Sequence, residues 1–157
     1  QGEYAAADSL LEESVAISQR LRDPRSRSSA RRRQGYVARD RGDRVAARAR
    51  LHECLALQRQ VGESREIASA LEGLATLAAA EGQAERALRL GGVAATLRSA
   101  LGIPAPPIEQ ADLERRLAPA GQALSGEAAA AAWTEGQTIP LEQAIAYALT
   151  EDAAPAR

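Results

Sequence analysis

The stretch that decides the fold runs from residue 71 to residue 94 and reads LEGLATLAAAEGQAERALRLGGVA. Its first part places apolar side chains at Leu71, Leu74, Ala75 and Ala78. Spacings of three, four and seven residues put these side chains on one face of an α-helix. The pattern therefore predicts an amphipathic helix whose apolar face packs against a neighbour.

A turn and a second helix follow directly. Gly82 stands where the first helix ends, and glycine readily adopts the left-handed conformation found at helix C-termini. Beyond it, Ala87, Leu90 and Ala94 again share one side of a helix. Because the turn is short, the two helices are expected to run antiparallel as a hairpin.

The same hairpin recurs with a period of 40 residues. Gly2, Gly42 and Gly82 keep that interval. Other columns that keep it are Ala7, Ala47 and Ala87; Val15, Leu55 and Ala95; and Leu21, Val61 and Leu101. One hairpin cannot bury its apolar face alone, so successive units are expected to stack into a solenoid. The predicted fold class is all-α.

The earlier unit departs from the pattern at two apolar columns. Arg31 and Gln34 stand where the later unit has Leu71 and Leu74. Polar side chains in a packing face are costly unless they find partners. We therefore expect the first helix of this unit to be poorly packed on one side, or covered by something outside the chain.

Composition supports helices and excludes several classes of protein. Of 157 residues, 37 are alanine, the strongest helix former. A single cysteine excludes a scaffold held by internal disulfides. No apolar run approaches the ~18 residues of a membrane span, and the start lacks a secretory leader, which predicts a cytoplasmic protein without membrane contact. The chain lacks methionine and begins inside a repeat, so we expect a fragment of a longer protein.

Three segments are expected along the chain. Residues 1–101 form the repeats, of which the first is incomplete. Residues 102–150 form capping helices after a rigid, proline-rich connector. Residues 151–157 form a frayed tail.

The capping segment is expected to hold three helices. The first runs from about Ile108 to Leu124, and Pro119 should kink or break it. Ser125 is expected to cap a second helix, from Gly126 to Glu135, which carries Trp133 as the anchor of the local core. The third helix is predicted over 141–150, with Pro140 in its first turn.

The repeat columns resemble the tetratricopeptide repeat in a longer, 40-residue form. That family has a small residue in the first helix, where Gly35 and Ala75 stand. A wider set of motifs resembles the C-terminal segment of large bacterial LuxR-type regulators, in which tetratricopeptide-like repeats follow a signalling ATPase module. These motifs are Ala70-Leu71-Glu72-Gly73-Leu74-Ala75, Leu90-Gly91-Gly92-Val93-Ala94-Ala95, Ala132-Trp133-Thr134-Glu135-Gly136 and Leu141-Glu142-Gln143-Ala144-Ile145.

The resemblance implies a right-handed solenoid whose first helices line a concave groove. The family's groove columns select polar residues from two units: Ser29, Arg32, Tyr36, Arg39, Ser69, Glu72 and Thr76. Arg32 and Arg39 would supply two charged donors for a carboxylate, and Tyr36 an amphipathic contact. The alternative is that these are ordinary polar residues facing water.

The function implied by the resemblance is non-catalytic. The groove would bind a peptide, a domain of the parent regulator or a second copy of the chain, with no cofactor or metal. Alternatives are a small-molecule inducer sensor and an enzyme with unseen catalytic residues. His52 and Cys54 are two positions apart and do not face each other on a helix, which argues against a catalytic pair. Gly91-Gly92 lacks a phosphate-loop pattern and indicates close helix packing.

Charge is unevenly distributed along the chain. The segment from Arg20 to Arg50 holds twelve arginines and three acids, a balance of +9 against −10 for the rest. Three interpretations stay open: a solvated face whose arginines meet acids on adjacent helices, a contact with an acidic partner or domain, and a nucleic-acid surface. Nucleic acid is not the expected partner, because only Tyr36 accompanies the arginines.

Overall fold

The computed structural model describes residues 2–150, and these residues form eight α-helices and no β-strand. In chain order the helices are α1 Gly2–Arg20, α2 Pro24–Asp40, α3 Arg44–Val61, α4 Ser64–Ala80, α5 Ala84–Leu101, α6 Pro107–Gln122, α7 Gly126–Thr138 and α8 Leu141–Leu149. The prediction of an all-α fold is confirmed.

The helices keep the 40-residue period of the sequence. Helices α2 and α4 each have 17 residues and begin at Pro24 and Ser64. Helices α3 and α5 each have 18 residues and begin at Arg44 and Ala84. The described chain is therefore helical and repeat-like across these two pairs.

Left-handed residues follow the helices at intervals of 20 positions. They are Arg22, Gly42, Gly62, Gly82 and Gly102, with φ between 53° and 82°. The first helix of each pair is followed by Gly42 or Gly82, as the repeat predicted. Gly62 and Gly102 do the same after the second helices, a regularity that the sequence analysis missed. Arg22 is the exception, because a side chain in this region costs about 1–2 kcal/mol.

Side-chain caps begin three of the helices. The Asp23 carboxylate accepts hydrogen bonds from the backbone N–H groups of Arg25 and Ser26 at 3.0 and 3.2 Å. Asp43 caps α3 in the same manner. Ser125 caps α7, as predicted. Each cap satisfies backbone donors that have no partner within the helix.

Helices α2 and α3 form an antiparallel hairpin around the turn before Asp43. Far from the turn, Gln58 Nε2 donates to Ser28 Oγ at 2.9 Å. Nearer the turn, a Cβ added to Gly35 would lie 2.8 Å from Leu51 Cγ. Each contact joins residues that are about equally distant from Asp43, which is the geometry of a hairpin. Helix α4 packs against both α2 and α3, and pairs with α5.

The two polar residues in the packing face of α2 are covered by the chain itself, so both earlier expectations are wrong. Arg31 and Gln34 are only 6% and 4% exposed. Gln34 donates to Glu12 of α1 at 2.7 Å, and Arg31 donates to Gln34 at 2.8 Å. Arg31 Nε also lies 2.8 Å from a carboxylate oxygen of Glu53 on α3. The hydrogen bond from Gln34 lowers the pKa of Glu12, which favours the charged form of that carboxylate.

Helix α5 crosses α7 at a contact made by glycines. A Cβ on Gly91 would lie 2.7 Å from Trp133 Cζ3. A Cβ on Gly92 would overlap the carbonyl oxygen of Trp133, and one on Gly136 the carbonyl oxygen of Arg89. The two backbones therefore approach so closely that a Cβ at Gly92 or Gly136 would not fit. Close helix packing is the role that the sequence predicted for Gly91-Gly92.

The other capping helices differ from expectation in detail. Helix α6 continues through Pro119 to Gln122 instead of breaking at the proline. Helix α7 runs to Thr138, beyond the predicted end at Glu135. The last carbonyls of α8 accept hydrogen bonds from Arg86 of α5, at 3.1 Å for Tyr147 and 2.7 Å for Thr150. This contact satisfies helix-terminal acceptors and ties α8 to the second hairpin.

Two expectations lie beyond these observations. The predicted frayed tail, residues 151–157, falls outside the described residues. The division of the chain at residue 101 stays a prediction, although α5 ends at Leu101. None of the helices within residues 2–150 combines the length and apolar character of a membrane span.

Replacing Arg22 by glycine should stabilise the fold by about 1 kcal/mol, because glycine removes the cost of the left-handed conformation. The matched control is Gly62→Ala, which should destabilise by about the same amount through backbone strain alone, since no atom lies within 4 Å of an added Cβ. Urea unfolding followed by circular dichroism measures both changes. A loss of stability on Arg22→Gly would contradict the assignment.

Replacing Gly92 by alanine should destabilise the fold by about 1–3 kcal/mol or more, because the added Cβ meets backbone atoms that cannot move alone. Gly121→Ala in α6 is the control, since nothing lies within 4 Å of its Cβ. That change should leave stability equal or slightly higher, as alanine favours helix. Equal thermal midpoints for the two variants would disprove the close α5–α7 crossing.

Candidate partner-binding groove

The seven residues predicted to line a groove come together along α2 and α4. One cavity, of about 600 Å³, is lined by Ser29, Arg32 and Ser69. An adjoining cavity, of about 300 Å³, is lined by Arg32, Tyr36, Arg39, Glu72 and Thr76. Arg32 and Glu109 border both cavities. We call the two cavities together the groove.

Tyr36 lies at the centre of the groove wall and is held from three sides. Its hydroxyl donates to the backbone carbonyl of Ser69 at 2.6 Å. The guanidinium carbons of Arg32 and Arg39 lie 5.5 and 4.8 Å from the ring centroid, within the range of cation–π attraction. Gly73 makes room for the ring, because a Cβ there would lie 2.8 Å from Tyr36 Cε1. Burial raises the pKa of Tyr36 to about 12.

The two groove arginines are already bound to acids of the same chain. Arg32 makes a two-pronged pair with Glu66 of α4, at 3.0 and 3.3 Å. Arg39 pairs with Asp40 at 3.0 Å and lies 3.8 Å from Asp112 of α6. A partner's carboxylate would therefore have to share or displace these acids.

A third arginine lies deeper, and the sequence analysis did not select it. Arg98 of α5 donates to both carboxylate oxygens of Glu72, with one distance of 2.7 Å, and to Ser69 Oγ at 3.1 Å. The hydrogen bond to Glu72 raises the pKa of Arg98, which favours the charged guanidinium. A buried pair of this kind fixes two helices relative to each other. The sequence analysis took groove residues only from the predicted first helices, whereas Arg98 lies on α5, the second helix of its pair.

Helix α6 forms the third wall of the groove, which the sequence analysis also missed. Ile108, Glu109, Asp112 and Leu113 all line it. Burial opposes ionisation of Asp112, but hydrogen bonds from Arg116 and Arg115 lower its pKa. The available signal was the proline-rich connector, because proline restricts the backbone of the segment that leads from α5 to α6.

The basic segment is largely neutralised by neighbouring acids. Arg25 lies 2.6 Å from Glu63, and Arg31 lies 2.8 Å from Glu53 of α3. The arginines of the segment that lie within ion-pair distance of acids are Arg25, Arg31, Arg32, Arg39, Arg41, Arg48 and Arg50. This pattern favours the interpretation in which arginines meet acids on adjacent helices.

The residues considered for catalysis do not form a reactive centre. Cys54 is fully buried, its sulfur 3.2 Å from Ser28 Oγ, and burial raises the pKa of its thiol to about 11. The thiol is therefore protonated at neutral pH, whereas thiolate is the nucleophile. His52 is partly exposed. Within residues 2–150, no three side chains of the metal-ligating types come together.

Comparison of the chain with models of known families, with curated proteins and with solved structures found no match. The resemblance to tetratricopeptide repeats and to LuxR-type regulators stays a prediction made from sequence pattern. The geometry of the groove is therefore the basis for assigning a function.

Replacing Tyr36 by phenylalanine tests the burial of its hydroxyl. At pH 8 the variant should lose about 1 kcal/mol, the value of one hydrogen bond. The unfolded tyrosine ionises near pH 10 and the folded one at about 12. Because the pKa of Tyr36 is higher in the folded state, the hydroxyl contributes its full stabilisation below pH 10. That stabilisation is lost as the pH rises towards 12.

The stability difference between wild type and Tyr36→Phe should therefore shrink by about 1 kcal/mol between pH 8 and pH 11. Urea unfolding at each pH measures it, and other titrating groups cancel because both proteins share them. A difference that stays constant with pH would place the hydroxyl in water.

Proposed function

We propose that this chain is a protein-interaction and sensing segment of a bacterial, LuxR-type signalling regulator, and that it acts in the cytoplasm. In this proposal α2–α5 are two units of a right-handed, tetratricopeptide-like solenoid. Helix α1 is the second helix of a further unit, and α6–α8 cap the array. The function is docking, and no step of it is catalytic.

The observation that carries the proposal is the convergence of the groove residues. Seven positions were chosen from sequence columns in two units, 40 residues apart. All seven line two cavities that share Arg32 and Glu109. The pairs Ser29 with Ser69 and Tyr36 with Thr76 come from equivalent positions of α2 and α4. A shared concave wall built from equivalent positions is the arrangement by which stacked hairpins bind extended partners.

The groove offers both apolar and charged contacts to a partner. Ile108 is 81% exposed at its edge. Arg33 and Arg65 are exposed at its wider end, close to Glu63 and Glu109. A peptide or domain surface that carries an apolar side chain between charges of both signs fits this pattern. Its charges would pair with the exposed charges of the groove, and its apolar side chain would cover Ile108 and exclude water.

Sensing requires that the partner bind two states of the regulator with different affinity. Helix α6 supplies a basis for such a difference, because its Asp112 and Arg116 pair with Arg39 and Asp40 of α2. A partner that occupies the groove competes with these pairs. The position of α6 would then differ between the bound and the free groove, and this difference would act on the rest of the parent protein.

A matched pair of substitutions tests the proposal. Ile108 and Val45 are the second residues of α6 and α3, are 81% and 83% exposed, and only Ile108 lines the groove. Ile108→Asp and Val45→Asp both add an acid to the first turn of a helix, which the helix dipole tolerates. Both variants should therefore fold like the wild type.

Peptides selected from a displayed random library on the wild-type chain supply the ligands. We expect micromolar binding, measured by fluorescence polarisation, that falls about tenfold with Ile108→Asp, or about 1.4 kcal/mol. Val45→Asp should leave it unchanged. Failure to select any peptide, or equal binding to both variants, would refute docking in the groove.

A further inference from the structure

A further cavity adjoins the groove and lies between α5, α6, α7 and the connector that follows Gly102. It encloses about 420 Å³. Its walls are mainly apolar and come from Gly91, Ala95, Pro104, Ala105, Leu113 and Trp133. No other tryptophan occurs in the chain. We call this space the tryptophan cavity.

The ring of Trp133 forms one wall of the cavity, and it can lie there because Gly91 has no side chain. A Cβ at Gly91 would lie 2.7 Å from Trp133 Cζ3, so the indole rests directly on the backbone of α5. Trp133 and Leu113 pack on the core but stay only partly buried. Both side chains line the cavity, so apolar surface of each is available to a ligand there. Burying such surface under a ligand is favourable by about 25 cal/mol per Å².

The two charged residues that line the cavity neutralise each other. Glu72 and Arg98 both line it and are both buried, and they bind each other through paired hydrogen bonds. A charged ligand would lose its hydration without gaining an opposite charge, which is costly in an apolar site. Gln110 adds an amide that can donate or accept one hydrogen bond.

We propose that the tryptophan cavity binds a small, uncharged, mainly apolar molecule with a flat ring that stacks on Trp133. A volume of 420 Å³ falls within the roughly 300–1,000 Å³ of small-molecule sites. An α-helix is about 10–12 Å across, so a cavity of 420 Å³ could hold only about one turn of a helix. The cavity therefore suits a small molecule and not a partner chain.

This inference does not depend on the proposed function of the groove. The two sites share Glu72, Arg98 and Leu113 in their walls, and Ile103 of the connector lines the groove. The proposed ligand contacts Trp133, Ala95 and Ala105, none of which borders the groove. Peptide binding to the groove can fail while the cavity still binds its ligand, and the reverse also holds.

The probe for the test is N-phenyl-1-naphthylamine, an uncharged aromatic molecule whose fluorescence rises in apolar sites. Trp133 emission overlaps its absorption, so energy transfer from the indole reports binding near it. We expect saturable transfer with one probe per chain. The sulfonated analogue 1-anilinonaphthalene-8-sulfonate should bind about tenfold or more weakly, because it carries a charge.

Two alanine-to-leucine changes on α5 locate the site. Ala95→Leu fills the cavity, whereas Ala100→Leu lies on an exposed position of the same helix and outside the cavity lining. Ala95→Leu should weaken the probe about tenfold or more, and Ala100→Leu should not change it. If Ala95→Leu unfolds the chain, as judged by circular dichroism, Ala105→Leu in the connector replaces it.

The result is decided by comparing the variants. Loss of binding on filling the cavity, with retention in the Ala100→Leu control, supports the site. Equal binding to both folded variants, or no saturable transfer in the wild type, overturns it. Equal affinity for the charged analogue overturns the assignment of an uncharged ligand.

Discussion

The structure depends on close approach of helix backbones at small residues. Ala47, Ala75 and Ala87 are fully buried in the repeats, and Gly92 and Gly136 meet backbone atoms across the α5–α7 crossing. Close approach increases dispersion contacts and leaves little space for water. A chain with only 3% aromatic residues can therefore have a dense core. The few large side chains, such as Leu51, fill the spaces beside the glycines.

The same close packing determines the chemistry of the groove. Charged groups that lie between tightly packed helices cannot all reach water, so they pair with each other. Arg32 binds Glu66, Arg98 binds Glu72, and Arg39 contacts Asp112. Breaking a buried pair costs about 3–5 kcal/mol. A partner is therefore recognised by the shape and the remaining exposed groups of the groove, and less by the arginines in its wall.

The local features of the fold were predictable, and the contacts between distant segments were not. The spacing of apolar residues within short segments predicted the helices, and glycines at 40-residue intervals predicted the turns at Gly42 and Gly82. The burial of Arg31 depends on Glu12, which lies 19 residues earlier. The third wall of the groove depends on where the connector returns α6. Such pairings arise from three-dimensional packing, which periodicity along the sequence does not encode.

The left-handed residues at 20-residue intervals have an evolutionary consequence. Each helix with its following turn occupies the same length of chain, from Arg22 to Gly102. Duplication or deletion of 40 residues between equivalent glycines would add or remove one complete hairpin and leave every junction with the same backbone geometry.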